Sequence, residues 1–226
     1  MIRKIKQIAK KKLYAALGLR ADISIPVQTV NPGDQAWYFA KGSLKPADIV
    51  YSLGLATNIE FDLNLICDSR VEVHGFDPTP DSVEWIQMQK LPPQFHHHPI
   101  AVAGHDGELE FALPSSPGHC ARAVTTPRQL SPSIRVPCRR ISTLMRELGH
   151  NRIDLLKMDI EGSEYDVIKD ILSNRLDIPQ IIVEFHHRFS GIGMRKTLDS
   201  VAALRQAGYQ LFHISPWCEE YAFIKQ

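Results

Sequence analysis

Asp159, Glu184 and His186 are the residues of this chain whose types and placement suit them to proton handling. Asp159 closes the apolar run of IDLLKMDIEGSEYDVI, residues 153 to 168, in which Ile153, Leu155, Leu156 and Met158 read as a strand covered on both faces. Glu161 follows, Gly162 supplies a turn, and Ser163 stands where an N-cap would open a helix carrying Tyr165, Val167, Ile168, Ile171 and Leu172. A second run, QIIVEF at 180 to 185, ends in Glu184 with His186 and His187 just beyond. Strand ends of an open α/β sheet face its ligand crevice, so these carboxylates and imidazoles converge at one mouth.

Two chemistries fit that mouth. Asp159 or His186 can act as general base on a hydroxyl, the imidazole being poised near neutrality. Alternatively Asp159, Glu184 and His186 can hold a divalent cation that lowers the hydroxyl's pKa. The metal-free arrangement is favoured, because the spacing is not a specific ligand signature. Glu161 suits the first turn of a helix through the helix dipole as well as it suits catalysis.

A second group of residues lies nearer the N-terminus. The strand DIVYSL, 48 to 53, runs into SLGLATN, residues 52 to 58, a turn entering a helix in which Gly54 is the one glycine. A dinucleotide fingerprint wants three, so phosphate cradling is disfavoured and a nicotinamide-dependent oxidoreductase with it. Asp77 ends the next strand about 20 residues further on, the spacing at which an acid holds a ribose diol. Its competing role is to cap the following helix, with Pro78 at the first helical position. A tight turn at Ser52 and Gly54 plus a ribose-binding acid, without a phosphate cradle, points to S-adenosylmethionine.

The elements that must position these residues alternate. Helices are expected at 58–68, 81–89, 142–148 with Ser142 as its cap, 163–172 and 194–207. Strands are expected at 48–53, 71–76, 95–103, 108–113, 153–158, 180–185, 209–214 and 221–225, with 134–141 extended. Alternation argues for a doubly wound, mainly parallel α/β sheet, and the short turn at 215–220 for a C-terminal antiparallel hairpin. Pro32 and Gly33 mark a loop, and the Pro/Ser-rich stretch 114–133 an irregular excursion. His96, His97 and His98 alternate in direction along a strand, so they cannot all reach one metal. Within 114–133, His119 and Cys120 fit a variable loop better than a substrate lid, and Arg122 and Arg128 read as solvated side chains rather than as partners of an anionic acceptor.

The chain of 226 residues has net charge +1. Residues 1 to 20 hold seven Lys or Arg and no acid, so the remainder is net −6, which disfavours nucleic acid as partner. Residues 1–46 read as a basic helix and lead-in, and 47–226 as the catalytic domain. Ile2, Ile5, Ile8, Leu13 and Leu17 recur at roughly helical spacing among lysines, as in a helix docked on the domain or one lying on an anionic membrane. Four widely spaced cysteines, no secretory signal and no spanning segment place the expectation in the cytoplasm, with peripheral membrane contact through residues 2–19 as an option.

The segments VYSLGLATNIEFD (50–62), VHGFDPTP (73–80), HHPIAVAGHDGELEF (97–111), IDLLKMDIEGSEYDVI and IIVEFHHR (181–188) together resemble the FkbM family of S-adenosylmethionine-dependent methyltransferases. The resemblance covers about residues 47 to 188, and MDIEGSEY is its most specific part. It implies a class I methyltransferase, Rossmann-like, with a seven-stranded sheet in the order 3-2-1-4-5-7-6, and O-methylation of a hydroxyl on a glycan, lipid-linked sugar or secondary metabolite. By position it implies Gly54 and its neighbours around the methionine end, Asp77 at the ribose, and Ala101 and Val102 flanking the adenine. Ala56 departs from the pattern, standing where many methyltransferases have a second glycine. That departure, with the single-glycine turn, supports the competing reading of a catalytically silent cofactor-binding scaffold.

Overall fold

A computed structural model describes residues 2–31, 36–112, 122–123 and 133–225. The chain begins with α1 (Ile2–Ala16), β1 (Val27–Val30), β2 (Trp37–Ala40), β3 (Ile49–Leu53), α2 (Glu60–Ser69), β4 (Glu72–Phe76) and α3 (Pro80–Gln87). It continues with β5 (Phe95–His98), β6 (Ala101–Val102), β7 (Gly107–Ala112), β8 (Arg122–Ala123), β9 (Ser133–Arg139) and α4 (Ile141–Leu148). The remainder is β10 (Leu155–Met158), α5 (Glu164–Ser173), β11 (Gln180–Glu184), α6 (Met194–Gln206), β12 (Tyr209–Ile214) and β13 (Glu220–Lys225).

Seven strands form one sheet in the order β12-β13-β11-β10-β3-β4-β5. Strands β11, β10, β3, β4 and β5 pair in parallel, whereas β13 is antiparallel to both β11 and β12. Read from β5, this is the 3-2-1-4-5-7-6 order that the family resemblance implies. The strands are apolar almost throughout because both faces are covered. Tyr51, Leu53, Leu156, Met158, Ile181 and Val183 pack on one face with residues of α4, α5 and α6. Val50, Leu155, Ile182 and Val73 pack on the other with α2 and with Trp37 and Phe39 of β2.

Several local expectations are corrected. Residues 95–103 are two strands in two sheets: Pro99, with no N–H to donate, ends β5, and β6 then pairs in parallel with β9. The lead-in carries β1 paired with β2, whose Ala40 N–H donates to the Gln180 side chain at 2.6 Å, so Val30, Trp37, Phe39 and Ala40 share the core of the sheet. Ser163 occupies the N-cap position of α5 without a capping hydrogen bond. Ser142 lies inside α4, where its N–H and hydroxyl both donate to Asp170 at 3.1 and 2.9 Å. The first helical proline of α3 is Pro80, not Pro78. His119, Cys120 and Arg128 fall outside the described residues; Arg122 lies in β8.

The three histidines of β5 are arranged by the alternation of the strand. His96 and His98 share a face and stack on His74 of β4, with ring centroids 4.7 and 5.2 Å away, and His150 meets His74 edge-on at 4.6 Å. His74 Nδ1 and His98 Nε2 share a hydrogen bond of 3.0 Å. Burial, followed by the neighbouring imidazoles, pushes His74 down to about 3 and His98 to about 4, so both are neutral in the folded protein. An unfolded histidine gains its proton near 6.5. Stability is therefore intact above that pH and falls as pH drops toward the folded values. Urea unfolding should show a loss on the order of 2 kcal/mol from His74 alone between about pH 6.5 and pH 5. His74→Asn should flatten that slope; an unchanged slope would show that the cluster does not set acid sensitivity.

Candidate active site

The site is built where the C-terminal ends of β3, β10 and β11 meet. Gly54 leaves β3 with φ of +79°, and a Cβ added to it would lie 1.7 Å from the carbonyl oxygen of Asp159. Only glycine allows two strand ends to approach so closely. Asp159 N–H donates to Leu53 O at 2.9 Å and Gly54 N–H to Phe76 O at 3.0 Å, locking the turn between β10 and β4.

Asp77 secures the same turn. Its Oδ2 accepts the N–H groups of Leu55 and Ala56 at 3.0 and 2.8 Å, and its Oδ1 accepts the N–H and hydroxyl of Thr79 at 2.9 and 2.6 Å. Four donors fill the four acceptor positions of a carboxylate. Asp77 is thus engaged by its own chain, tying the β3 turn to the start of α3. Ala56 has φ of +46°, a left-handed conformation that costs a residue with a Cβ roughly 1–2 kcal/mol and that the second glycine of the common pattern would relieve. Two short hydrogen bonds to Asp77 hold the loop in that shape.

The mouth is acidic around one buried imidazole. His186 Nε2 faces Asp159 Oδ1 at 3.6 Å, Glu184 Oε1 at 3.7 Å and Glu161 Oε2 at 3.8 Å. Its Nδ1 lies 3.2 Å from Glu164 Oε1, which also accepts the His186 N–H at 2.8 Å. Glu164 Oε2 accepts the Gly162 N–H at 2.8 Å. Burial alone would lower the His186 pKa, but the hydrogen bond and charge of Glu164, joined by Asp159 and Glu184, outweigh it and raise it to about 9. The imidazole is therefore a cation at neutral pH. Burial, then the charge of Asp159, pushes Glu184 up to about 8. Asp159, Glu184 and His186 each offer a ligand atom within 4.8 Å of the others, near enough for one cation to bridge them. The imidazolium already supplies a positive charge at that point.

Beneath the turn lies a polar group that sequence reasoning passed over. Lys157, buried in β10, donates to Gly54 O at 3.1 Å and sits 4.7 Å above the Trp37 ring. Asp62 of α2 is buried, and burial raises it to about 6 against the opposing charge of Lys157. Its Oδ1 and the buried hydroxyl of Ser52 have no hydrogen-bond partner among the described residues. A cavity of about 240 Å³ opens here, lined by Trp37, Gly54, Asn58, Asp62, Asp159 and Glu184 among others. Of the residues expected at the site, Gly54, Asp159 and Glu184 line it directly; His186 backs the two acids, and Ser52 lies below. Ala101 and Val102 are buried in β6 against Cys138 and Arg139 of β9 and do not line it.

Parallel strands in this order, a glycine turn after the first and an acid after the fourth define a class I methyltransferase fold. The chain belongs to the methyltransferase FkbM domain family, which it matches over residues 48–211. It is similar to the probable methyltransferase-like protein 24 of Rattus norvegicus, 29% identical over 175 residues, and to that of Homo sapiens, 28% identical over 175 residues. In each case the match covers 73% of this chain and 42% of the relative, so it spans less than half the length of these relatives. Among solved structures, the fibrillarin pre-rRNA processing protein of Methanococcus jannaschii shares the fold with a TM-score of 0.50 at 8% identity, over 88% of this chain and 82% of that one.

S-adenosylmethionine is the cofactor of this fold and family, and the residues present suit it. Its sulfonium and ammonium groups are cations, and Asp159, Glu184 and Glu220 line the cavity. The Asp62 carboxyl lines the same space. Calorimetric titration with S-adenosylhomocysteine checks this fit. Asp77→Ala frees the β3 turn and should weaken binding about tenfold or more, and Gly54→Ala, which drives a Cβ into Asp159, should abolish it. Wild-type affinity in Gly54→Ala would exclude the turn as the cofactor cradle.

Proposed function

We propose that the protein is an S-adenosylmethionine-dependent methyltransferase acting on a hydroxyl of a glycan, a lipid-linked sugar or a secondary metabolite. The observation that carries this reading is the pair of carboxylates, Asp159 and Glu184, opening beside the Gly54 turn with a buried imidazolium behind them. When bound, the cofactor supplies a methyl group on a positively charged sulfur. Transfer of that methyl to an acceptor oxygen would require this chain to hold the hydroxyl in line and to take its proton.

Asp159 and Glu184 take that proton. Burial and then the charge of Asp159 keep a proton on Glu184 near neutrality, and releasing it creates the dianionic, basic form. His186, held protonated by Glu164, stabilises that dianionic form and keeps the pair aimed at the mouth. The carboxylates, rather than the imidazole, thus have the role of general base. Lys157 holds the Gly54 carbonyl and so fixes the turn on which the methionine end would rest.

The competing scaffold reading and this one part on turnover. With a radiolabelled methyl donor and a library of hydroxyl acceptors, transfer should occur in the wild type. Asp159→Asn should lower it about 100-fold or more at saturating cofactor. The rate should rise with pH through about 8 as Glu184 loses its proton, and Glu184→Gln should remove that rise. Full activity in Asp159→Asn would refute the base assignment, and binding without transfer to any hydroxyl would favour the scaffold. Activity should survive EDTA; loss on chelation, restored by a divalent ion, would replace the proton-accepting pair with a metal site.

A further inference from the structure

Helix α1 is docked by one side and bare on the other. Arg3, Lys10 and Tyr14 fall on one face of the helix by their spacing of seven and four. The Arg3 guanidinium lies 5.2 Å over the Trp217 ring, Lys10 Nζ is 3.0 Å from Glu219, and Tyr14 shares a hydrogen bond of 2.8 Å with His187. Below the helix, the Arg205 guanidinium donates to Gly18 O and Arg20 O at 3.0 and 2.9 Å, and Leu19 is buried. The helix is therefore seated, and its orientation is set.

The seat turns the apolar residues outward. Ile5, Ile8, Leu13 and Leu17 are 59, 57, 60 and 43% exposed. Met88 is the one other large apolar side chain so exposed among the described residues. Lys4, Lys6, Lys11 and Lys12 are exposed around them, and residues 1 to 20 include no acid. An apolar side interspersed with lysines is matched by a surface that is anionic outside and hydrocarbon within. A second copy of this helix would set lysines against lysines, so charge complementarity selects the lipid. No helix of the described residues is long and apolar enough to cross a bilayer, so the contact is a surface one.

We propose that α1 is a peripheral anchor binding an anionic phospholipid surface through Ile5, Ile8, Leu13 and Leu17. Its docked side touches His187 and Glu219, and Glu219 pairs with Arg188, which donates to Glu184 at 3.1 Å. The anchor thereby holds the mouth at the edge of the bound surface. If the methyl-transfer reading holds, its acceptor is a hydroxyl presented there, which favours the lipid-linked class.

Flotation of the full chain with vesicles tests the anchor without any turnover, so its outcome is separate from that of the methyl-transfer reading. The chain should float with phosphatidylcholine vesicles containing phosphatidylglycerol and remain at the bottom with pure phosphatidylcholine. The double variant Ile5→Ser with Leu13→Ser should reduce the bound fraction about tenfold or more. Its melting temperature and S-adenosylhomocysteine affinity should match the wild type, since both side chains are exposed. Absence of flotation, or equal flotation of the double variant, would overturn the proposal. So would a dimer in light scattering that the double variant abolishes, with no flotation.

Discussion

A single carboxylate with no exposed surface holds the chemical end of this protein together. Glu164, in the first turn of α5, accepts hydrogen bonds from the Gly162 N–H on one oxygen and from the His186 backbone on the other, where it also meets the imidazole. It thereby joins the turn after β10 to the end of β11. A charge buried this deeply is tolerated only when its partners are in place, and removing one side of such a pair costs roughly 3–5 kcal/mol. The position of Asp159 relative to Glu184 follows from it, because each acid sits at the end of one of the two strands that Glu164 bridges.

The electrostatics of the mouth follow from the same bond. Three further carboxylates face His186 Nε2 from 3.6 to 3.8 Å. Without the imidazolium they would repel one another in a partly desolvated space. With it, Asp159 and Glu184 can stand side by side and expose an acidic surface to a cationic donor. On the opposite side, the Gly54 turn is held by Asp77 above and Lys157 below. The two halves meet where Gly54 touches Asp159, so a methyl donor on the turn and a proton acceptor at the strand end would be set in register by backbone packing alone.

Much of this was legible in the residues. Nearly continuous apolar runs marked the buried parallel strands, and the alternation of strands with helices predicted the doubly wound sheet and its final hairpin. Gly54, Asp159, Glu184 and His186 stood out because glycine and ionisable side chains at strand ends have few structural reasons to be there. Glu164 did not, since an acid in the first turn of a helix reads as an exposed complement to the dipole. Asp62 left a trace, a carboxylate among Phe61, Leu65 and Ile66 on the buried side of α2. Lys157 is hidden within an apolar strand, and its contact with Gly54 depends on how β10 pairs with β3. The pairing of β1 with β2 was missed because two four-residue strands carry too little periodicity, and the break at Pro99 went unread, so 95–103 was expected as one strand.

Ser163 and Ser142 have the side chains that caps require, yet acids do the hydrogen bonding at those helix starts, the adjacent Glu164 at α5 and the distant Asp170 at α4. At Ser142 local preference gave way to tertiary contact. The electrostatics of the mouth rest on Glu164 keeping His186 charged, and that charge is directly measurable. Titration of the His186 ring followed by 15N-correlated NMR should give a pKa near 9 in the wild type, falling markedly in Glu164→Gln. A wild-type His186 that titrates at or below the ordinary histidine value of about 6.5 would contradict it.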